Sequence, residues 1–159
     1  MKADFFKIKK HEKEIILKKI KPLWKPRTYP EVITANLAIE RYKIALANSV
    51  ILKSNYSTKA MISLKITWMY RLLNDIENEL IFLKKSLKGF NEAYIKEAFP
   101  MYGLQRDSTT YLLGELNRRI GNDSEALKWY SKTITTIGAS YKIKELARNG
   151  RDLIKSNDN

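Results

Sequence analysis

The sequence predicts an all-α protein, for reasons of composition, periodicity and repetition. Six Gly and four Pro in 159 residues are too few for a β-sandwich, which needs a turn about every ten residues. Long stretches consist mainly of Lys, Leu, Ile, Ala and Glu, which favour helix. The segment YLLGELNRRIGNDSEALKWYSKTI at 111–134 indicates two helices joined by a tight turn at Gly121-Asn122. Such a hairpin cannot bury its apolar face alone, so further helical hairpins are expected to stack against it.

The N-terminal segment, residues 1–29, is predicted to be a basic helix followed by a proline-rich connector. Apolar residues lie along one side of residues 3–21, and lysines fill the rest. The stretch KPLWKPRTYP that follows cannot continue the helix because of its prolines. The next helix is expected to begin near Pro30, since proline suits a first turn, and to run to about Lys53.

Residues 30–139 are predicted to form the helical hairpins, and residues 140–156 a final capping helix. Ser57 is the expected N-cap of the second helix in this region, and Asp107 or Ser108 that of the fourth. The chain is therefore expected to be a single domain of about seven helices. After the helix ending near Lys53, the predicted helices are 58–73, 76–98, 107–120, 124–137 and 140–155.

Three segments repeat a common pattern at the start of the second helix of each predicted pair. They are AIERYKIAL at 38–46, ELIFLKKSL at 79–87 and ALKWYSKTI at 126–134. Small residues recur at equivalent places, which lets one helix cross closely over its partner. The pattern therefore predicts a solenoid built from diverged helical pairs.

At Leu113-Gly114, Gly121, Ala126 and Tyr130 the chain resembles the tetratricopeptide repeat. Residues 68–87 are similar to a second, diverged copy, which has asparagine at position 74 where glycine is usual and glutamate at 79 where alanine is usual. The first copy keeps only its second helix, because three prolines stand where the first helix would be. The resemblance implies a tetratricopeptide-like α-solenoid that binds other molecules.

A broader resemblance covers nearly the whole chain. DFFKIKKHEKEI, ANLAIERYKIAL, KITWMYRLLND, the segment at 111–134 and YKIKELAR together resemble the C-terminal helical region of the bacterial domain-of-unknown-function family 2225. Members of that family typically carry a cysteine-rich, zinc-ribbon-like segment before these helices. This sequence has no Cys, so that segment either lies outside it or is lacking in this member. The resemblance implies helical repeats and binding, and it transfers no catalytic residue.

The sequence gives no support for an enzyme. Without cysteine there is no disulfide, thiolate metal site or cysteine nucleophile, and the single histidine, His11, excludes multi-histidine metal sites. No catalytic residue, metal or cofactor is therefore expected. No apolar run reaches the roughly 18 residues of a membrane span, and the charged N-terminus does not resemble a signal peptide. The expected location is the cytoplasm.

A partner-binding groove is predicted along the first helix of each pair. The arginines there could bind carboxylates through their planar guanidinium groups, and the aromatic residues could anchor an apolar side chain. The alternative is that the aromatic residues belong to the core and that the arginines are solvated or pair with Glu115. The candidate groove residues are Trp68, Arg71, Tyr111, Glu115, Arg118 and Arg119.

Charge provides a second candidate. The net charge is +13, and residues 1–27 hold ten Lys or Arg against three acidic residues. The basic N-terminal helix could contact nucleic acid or an anionic surface. Alternatively, its apolar side covers the end of the helix stack, and the lysines are an ordinary solvated surface. The candidate contacts are Lys7, Lys9, Lys10 and Lys13.

The preferred hypothesis is a non-enzymatic scaffold of tetratricopeptide-like type that binds a protein or peptide segment. Binding of nucleic acid or an anionic surface through the N-terminal helix is the alternative. The partners expected from the sequence are thus a protein or peptide, less favourably a nucleic acid, with weak homo-oligomerisation as a further association.

Overall fold

The computed structural model describes residues 12, 14, 15, 18 and 32–157. Across 32–157 the fold is all-α, with six helices and no strand, and an isolated bridge pairs Met101 with Leu104. None of these described helices is long and apolar enough to cross a membrane. The helices are α1 (Ala35–Ile51), α2 (Tyr56–Leu72), α3 (Ile76–Lys96), α4 (Arg106–Arg119), α5 (Asp123–Thr135) and α6 (Tyr141–Asn157).

Each described helix packs against its neighbour in the chain, and α4 also packs against α6. The buried apolar side chains form three clusters that follow one another along the chain. The first joins α1, α2 and α3 through Ile39, Ile66, Tyr70 and Phe82. The second joins α2, α3 and α4 through Ala60, Leu64, Leu83, Leu87, Phe90, Leu113 and Leu116. The third joins α5 and α6 through Ala126, Tyr130, Ala147 and Ile154.

Helices α1, α2 and α4 end in the same backbone motif, in which one residue adopts a positive φ. These residues are Lys53 (φ 51°), Asn74 (φ 55°) and Gly121 (φ 77°). After α4, the N–H of Asn122 donates to the carbonyl of Asn117 at 2.9 Å and that of Gly121 to Arg118 at 3.0 Å. This pair of bonds is a Schellman motif, and it satisfies carbonyls that the helix end leaves free. The turns predicted at Asn74 and Gly121 are confirmed.

Three predicted helix starts are corrected. Helix α1 begins at Ala35, not near Pro30, because Thr34 caps it by accepting the N–H of Leu37 at 3.3 Å. Ser57 lies inside α2, where its N–H donates to the Glu97 carboxylate at 3.0 Å. That carboxylate comes from the residue after α3, forty positions away, which the sequence pattern does not reveal.

The fourth helix likewise begins earlier than predicted. Helix α4 starts at Arg106, with Gln105 as its N-cap, so neither Asp107 nor Ser108 precedes it. The Asp107 carboxylate instead accepts the N–H of Ser108 at 2.7 Å and that of Ser140 at 3.1 Å. It therefore ties the start of α4 to the start of α6.

The predicted N-terminal helix, 3–21, lies mostly outside the described residues. Glu12, Glu14, Ile15 and Lys18 are described, and all four are helical. The connector 22–29 lies outside the described residues altogether. Six of the seven predicted helices therefore have a counterpart in 32–157.

The shared helix ending allows a matched test of backbone strain. Replacing Gly121 by alanine should lower the free energy of unfolding by about 1 kcal/mol, because an L side chain is strained at positive φ. A Cβ built at Gly121 meets no atom within 4 Å, so a steric clash would not contribute. Asn74→Gly, at the equivalent place, should change stability by less than about 0.5 kcal/mol. Urea unfolding followed by circular dichroism measures both. An equal loss of stability in the two variants would contradict the assignment of backbone strain to position 121.

Candidate functional site

Tyr130 of α5 fills a narrow slot between two glycines on neighbouring helices. A Cβ built on Gly114 of α4 would lie 2.6 Å from Cε1 of Tyr130, and one built on Gly150 of α6 would lie 2.6 Å from Cζ. Both distances are too short for real atoms, so both positions require glycine while the ring stays where it is. Tyr130 is completely buried, and the ring of Tyr111 lies 6.2 Å from it. Gly114, one of the residues that resemble the tetratricopeptide repeat, is thus a helix-contact residue.

The hydroxyl of Tyr130 donates a hydrogen bond to Oε1 of Glu115. The same carboxylate accepts a hydrogen bond from Nη2 of Arg118 at 2.9 Å, and its Oε2 lies 3.7 Å from Nε of Arg119. Its side chain is only 16% exposed, so these donors stabilise a charge that has lost much of its contact with water. Glu115 therefore links the packing of α5 to the two arginines at the end of α4.

This network changes the ionisation of its tyrosines. Burial, followed by the hydrogen bond to Glu115, raises the pKa of Tyr130, whereas Arg118 acts in the opposite direction. Burial and the nearby Glu115 charge also raise the pKa of Tyr111. The hydrogen bond to Glu115 raises the pKa of Arg118. Both phenols thus stay protonated at neutral pH, as donors or packing groups rather than bases.

Four of the six predicted groove residues come together on α4. Tyr111 packs beside the ring of Tyr130, while Glu115, Arg118 and Arg119 form one ionic group. The pairing of both arginines with Glu115 is the alternative that the sequence left open. The side chains of Arg118 and Arg119 nevertheless remain 30% and 35% exposed, so their outer edges face solvent.

The other two predicted groove residues lie on α2. Trp68 is 47% exposed, which leaves much of its indole available to solvent. Arg71 pairs with Glu79 of α3 through Nε and Oε1 at 3.4 Å, yet its side chain is 52% exposed. Position 79 is where the repeat pattern normally has alanine, so the departure from that pattern supplies the partner of Arg71.

The predicted basic contacts Lys7, Lys9, Lys10 and Lys13 lie outside the described residues.

Sequence reasoning missed a basic groove between α2 and α3. The groove has a volume of about 460 Å³ and is lined by four lysines, Lys59, Lys85, Lys88 and Lys96. The signal in the sequence was the helical spacing of the three lysines on α3.

Removing the Tyr130 hydroxyl tests the network. The Tyr130→Phe variant should unfold with a free energy about 1–2 kcal/mol below that of the wild type at pH 7, because Glu115 loses a donor in a mostly buried position. Thermal or urea unfolding measures this difference. Ser131→Ala, at the adjacent exposed position, is a control that should leave stability nearly unchanged.

The same pair of proteins gives a pH dependence. A phenol whose pKa is raised by folding contributes stability below the unfolded pKa of about 10 and loses it as pH rises above that value. The stability difference between the wild type and Tyr130→Phe should therefore shrink above about pH 10. A difference that stays constant from pH 8 to 11 would contradict the elevated pKa of Tyr130.

Comparison with known proteins gives one result that covers almost the entire chain. The model of the family described as "Uncharacterized protein conserved in bacteria (DUF2225)" matches residues 1–154. No curated protein matches the chain, and no solved structure does. The family resemblance noted from the sequence is therefore confirmed: this chain belongs to the bacterial DUF2225 family.

Proposed function

We propose that this chain is a non-enzymatic scaffold, a tetratricopeptide-like α-solenoid that binds a protein or peptide segment. In this proposal α2–α3 and α4–α5 are successive repeat units, α1 is the second helix of an incomplete unit, and α6 covers the end of the stack. The two proposed first helices, α2 and α4, end in the same motif at Asn74 and Gly121, a motif that α1 shares. The ring of Tyr130 against Gly114 supports close packing of the two helices within the second unit.

The observation that carries the proposal is the exposed apolar surface of α2. Trp68 and Leu72, which is 69% exposed, are four residues apart and so lie on one side of the helix. Leu73 and Ile76 at the following turn are exposed as well. A group of large apolar residues on a folded surface is typical of a contact site for another chain, and tryptophan is enriched among residues that dominate binding energy.

Arg71 beside this surface, and two arginines at the end of α4, suit a partner that carries carboxylates. Arg71 is on α2, three residues after Trp68, and its exposed guanidinium edge could donate hydrogen bonds to a second carboxylate besides Glu79. Arg118 occupies the corresponding place before the turn of the next unit, and Arg119 follows it. We therefore assign Trp68, Leu72 and Arg71 to the centre of the proposed contact and the two α4 arginines to its edge. Within α4, Glu115 pairs with both arginines and Tyr111 packs beside Tyr130.

The proposal is tested by placing a photo-crosslinking amino acid at Leu72 or at Ile137. Ile137 is 99% exposed and lies between α5 and α6, away from the proposed contact, so it is a matched control. In a bacterial lysate, the probe at 72 should yield a defined crosslinked partner, whereas the probe at 137 should not. The Trp68→Ser change combined with the probe at 72 should reduce the yield at least fivefold, because the apolar anchor is lost.

Helicity and unfolding midpoint establish that each variant is folded, since all three positions are exposed. Equal crosslinking from 72 and 137 would show non-specific contact and would overturn the proposal. An undiminished yield in the Trp68→Ser background would show that the indole is no anchor. The Arg71→Ala change should lower the yield less than Trp68→Ser, because an exposed charge contributes less than a desolvated aromatic ring.

A further inference from the structure

The basic groove between α2 and α3 is bounded by ammonium groups on both helices. Its apolar floor is formed where Gly89 of α3 approaches α2, since a Cβ built on that glycine would lie 2.8 Å from Cβ of Ala60. The close approach of the two backbones leaves an open channel above them, about 460 Å³ in volume. Lys59 stands on the α2 side and the other three lysines on the α3 side.

The groove carries a positive charge that its own acid does not neutralise. Glu92 is the carboxylate in the lining, and it pairs with Lys96 at 2.5 Å. The hydrogen bond and charge of Lys96, with a further contribution from Lys88, lower the pKa of Glu92. Four lysines against one glutamate leave an excess of three positive charges.

The lysines of α3 form a line that suits an extended polyanion. Lys85, Lys88 and Lys96 fall within about 80° around the helix axis, so all three lie on one side. From Lys85 to Lys96 the helix rises about 16 Å. A line of this length can contact several successive phosphates of one strand.

An exposed aromatic ring lies at the end of this line. Tyr56, the first residue of α2, is 38% exposed and lines both the groove and an adjoining cavity of about 380 Å³. Nζ of Lys59 and Nζ of Lys96 lie 4.8 and 5.0 Å from its ring centroid. A charged groove combined with an aromatic ring is the usual arrangement for single-stranded nucleic acid, whose bases stack on such rings.

We propose that this groove binds single-stranded nucleic acid, with the lysines contacting the phosphate backbone and Tyr56 stacking against a base. The exposed ring of Tyr56 beside the lysines favours this partner over an acidic peptide, because a base can stack on the ring while the ammonium groups contact phosphates. The chain's net charge of +13 attracts a polyanion at longer range. Binding would be independent of base sequence and would weaken steeply with salt.

This site is separate from the proposed peptide contact. At about 3.6 residues per turn, Lys59 and Ser63 lie on the side of α2 opposite Trp68 and Leu72. The two surfaces can therefore be altered independently, and the inference does not depend on the scaffold proposal.

The test measures binding of a fluorescein-labelled oligo-deoxythymidine of about 15 nucleotides by fluorescence anisotropy, a length within the range of single-stranded binding sites. The groove variant changes Lys59, Lys85, Lys88 and Lys96 to glutamine. The control variant changes four lysines outside the groove to glutamine, and thus has the same net charge: Lys84, Lys128, Lys142 and Lys144. Any contribution from the N-terminal lysines is common to both proteins.

The groove variant should bind at least tenfold more weakly than the control variant at low salt. Its slope of log affinity against log salt should be less steep than that of the control variant by about 2–3 units, as expected for about four lost phosphate contacts. Tyr56→Ala should weaken binding at least fivefold and leave that slope unchanged, because stacking releases no counterions. A variant with arginine at all four groove positions should retain binding, which separates charge from misfolding.

Equal affinities of the groove and control variants would overturn the proposal. So would a polyglutamate peptide that competes with the oligonucleotide at equal charge concentration, since the partner would then be an acidic peptide. If the arginine variant is folded by circular dichroism but does not bind, the groove is not an electrostatic site for phosphates.

Discussion

The arrangement of the C-terminal half depends on one aromatic ring held between two helices that lack side chains at the contact. Tyr130 lies against Gly114 and Gly150, so α4, α5 and α6 approach one another around a single buried residue. Its hydroxyl donates a hydrogen bond to Glu115, whose carboxylate pairs with Arg118 and Arg119. Apolar packing and a mostly buried ionic group are thus joined through one side chain. The residues most suggestive of a binding site on α4 consequently have a structural role first.

How far the sequence predicts this structure depends on the distance between interacting residues. The six helices of 32–157 and the turn at Gly121 follow from patterns within a few residues, and they are confirmed apart from the three corrected helix starts. The first-turn hydrogen bond of Ser57 was not predictable, because its acceptor at Glu97 is brought near only by folding of the whole hairpin. The tyrosine partner of Glu115 was missed for the same reason. The groove lysines are present in the sequence, but they form a common surface only because α2 and α3 pack closely against each other.

Helix α2 has different chemical character on its two exposed sides. One side presents Trp68 and Leu72, and the other borders the channel containing Lys59. The buried residues between them face α1, α3 and the central apolar cluster. In the two proposals, an apolar partner and a polyanion would therefore bind different sides of this helix. Binding on one side would affect binding on the other only through the buried residues of α2 that pack against its neighbouring helices.

Two polar links also divide the described helices into two sets. Glu97 fastens the beginning of α2 to the end of α3, and Asp107 fastens α4 to the start of α6, so each set of helices is closed on itself. Between the sets, Leu64 shares a cluster with Leu113, and the ring of Tyr94 meets that of Trp129 edge-on at 5.1 Å. Apolar contacts have little directional preference compared with ion pairs and hydrogen bonds. In the described chain the contact between the two sets therefore depends on apolar and aromatic packing, whereas each set has a polar link of its own.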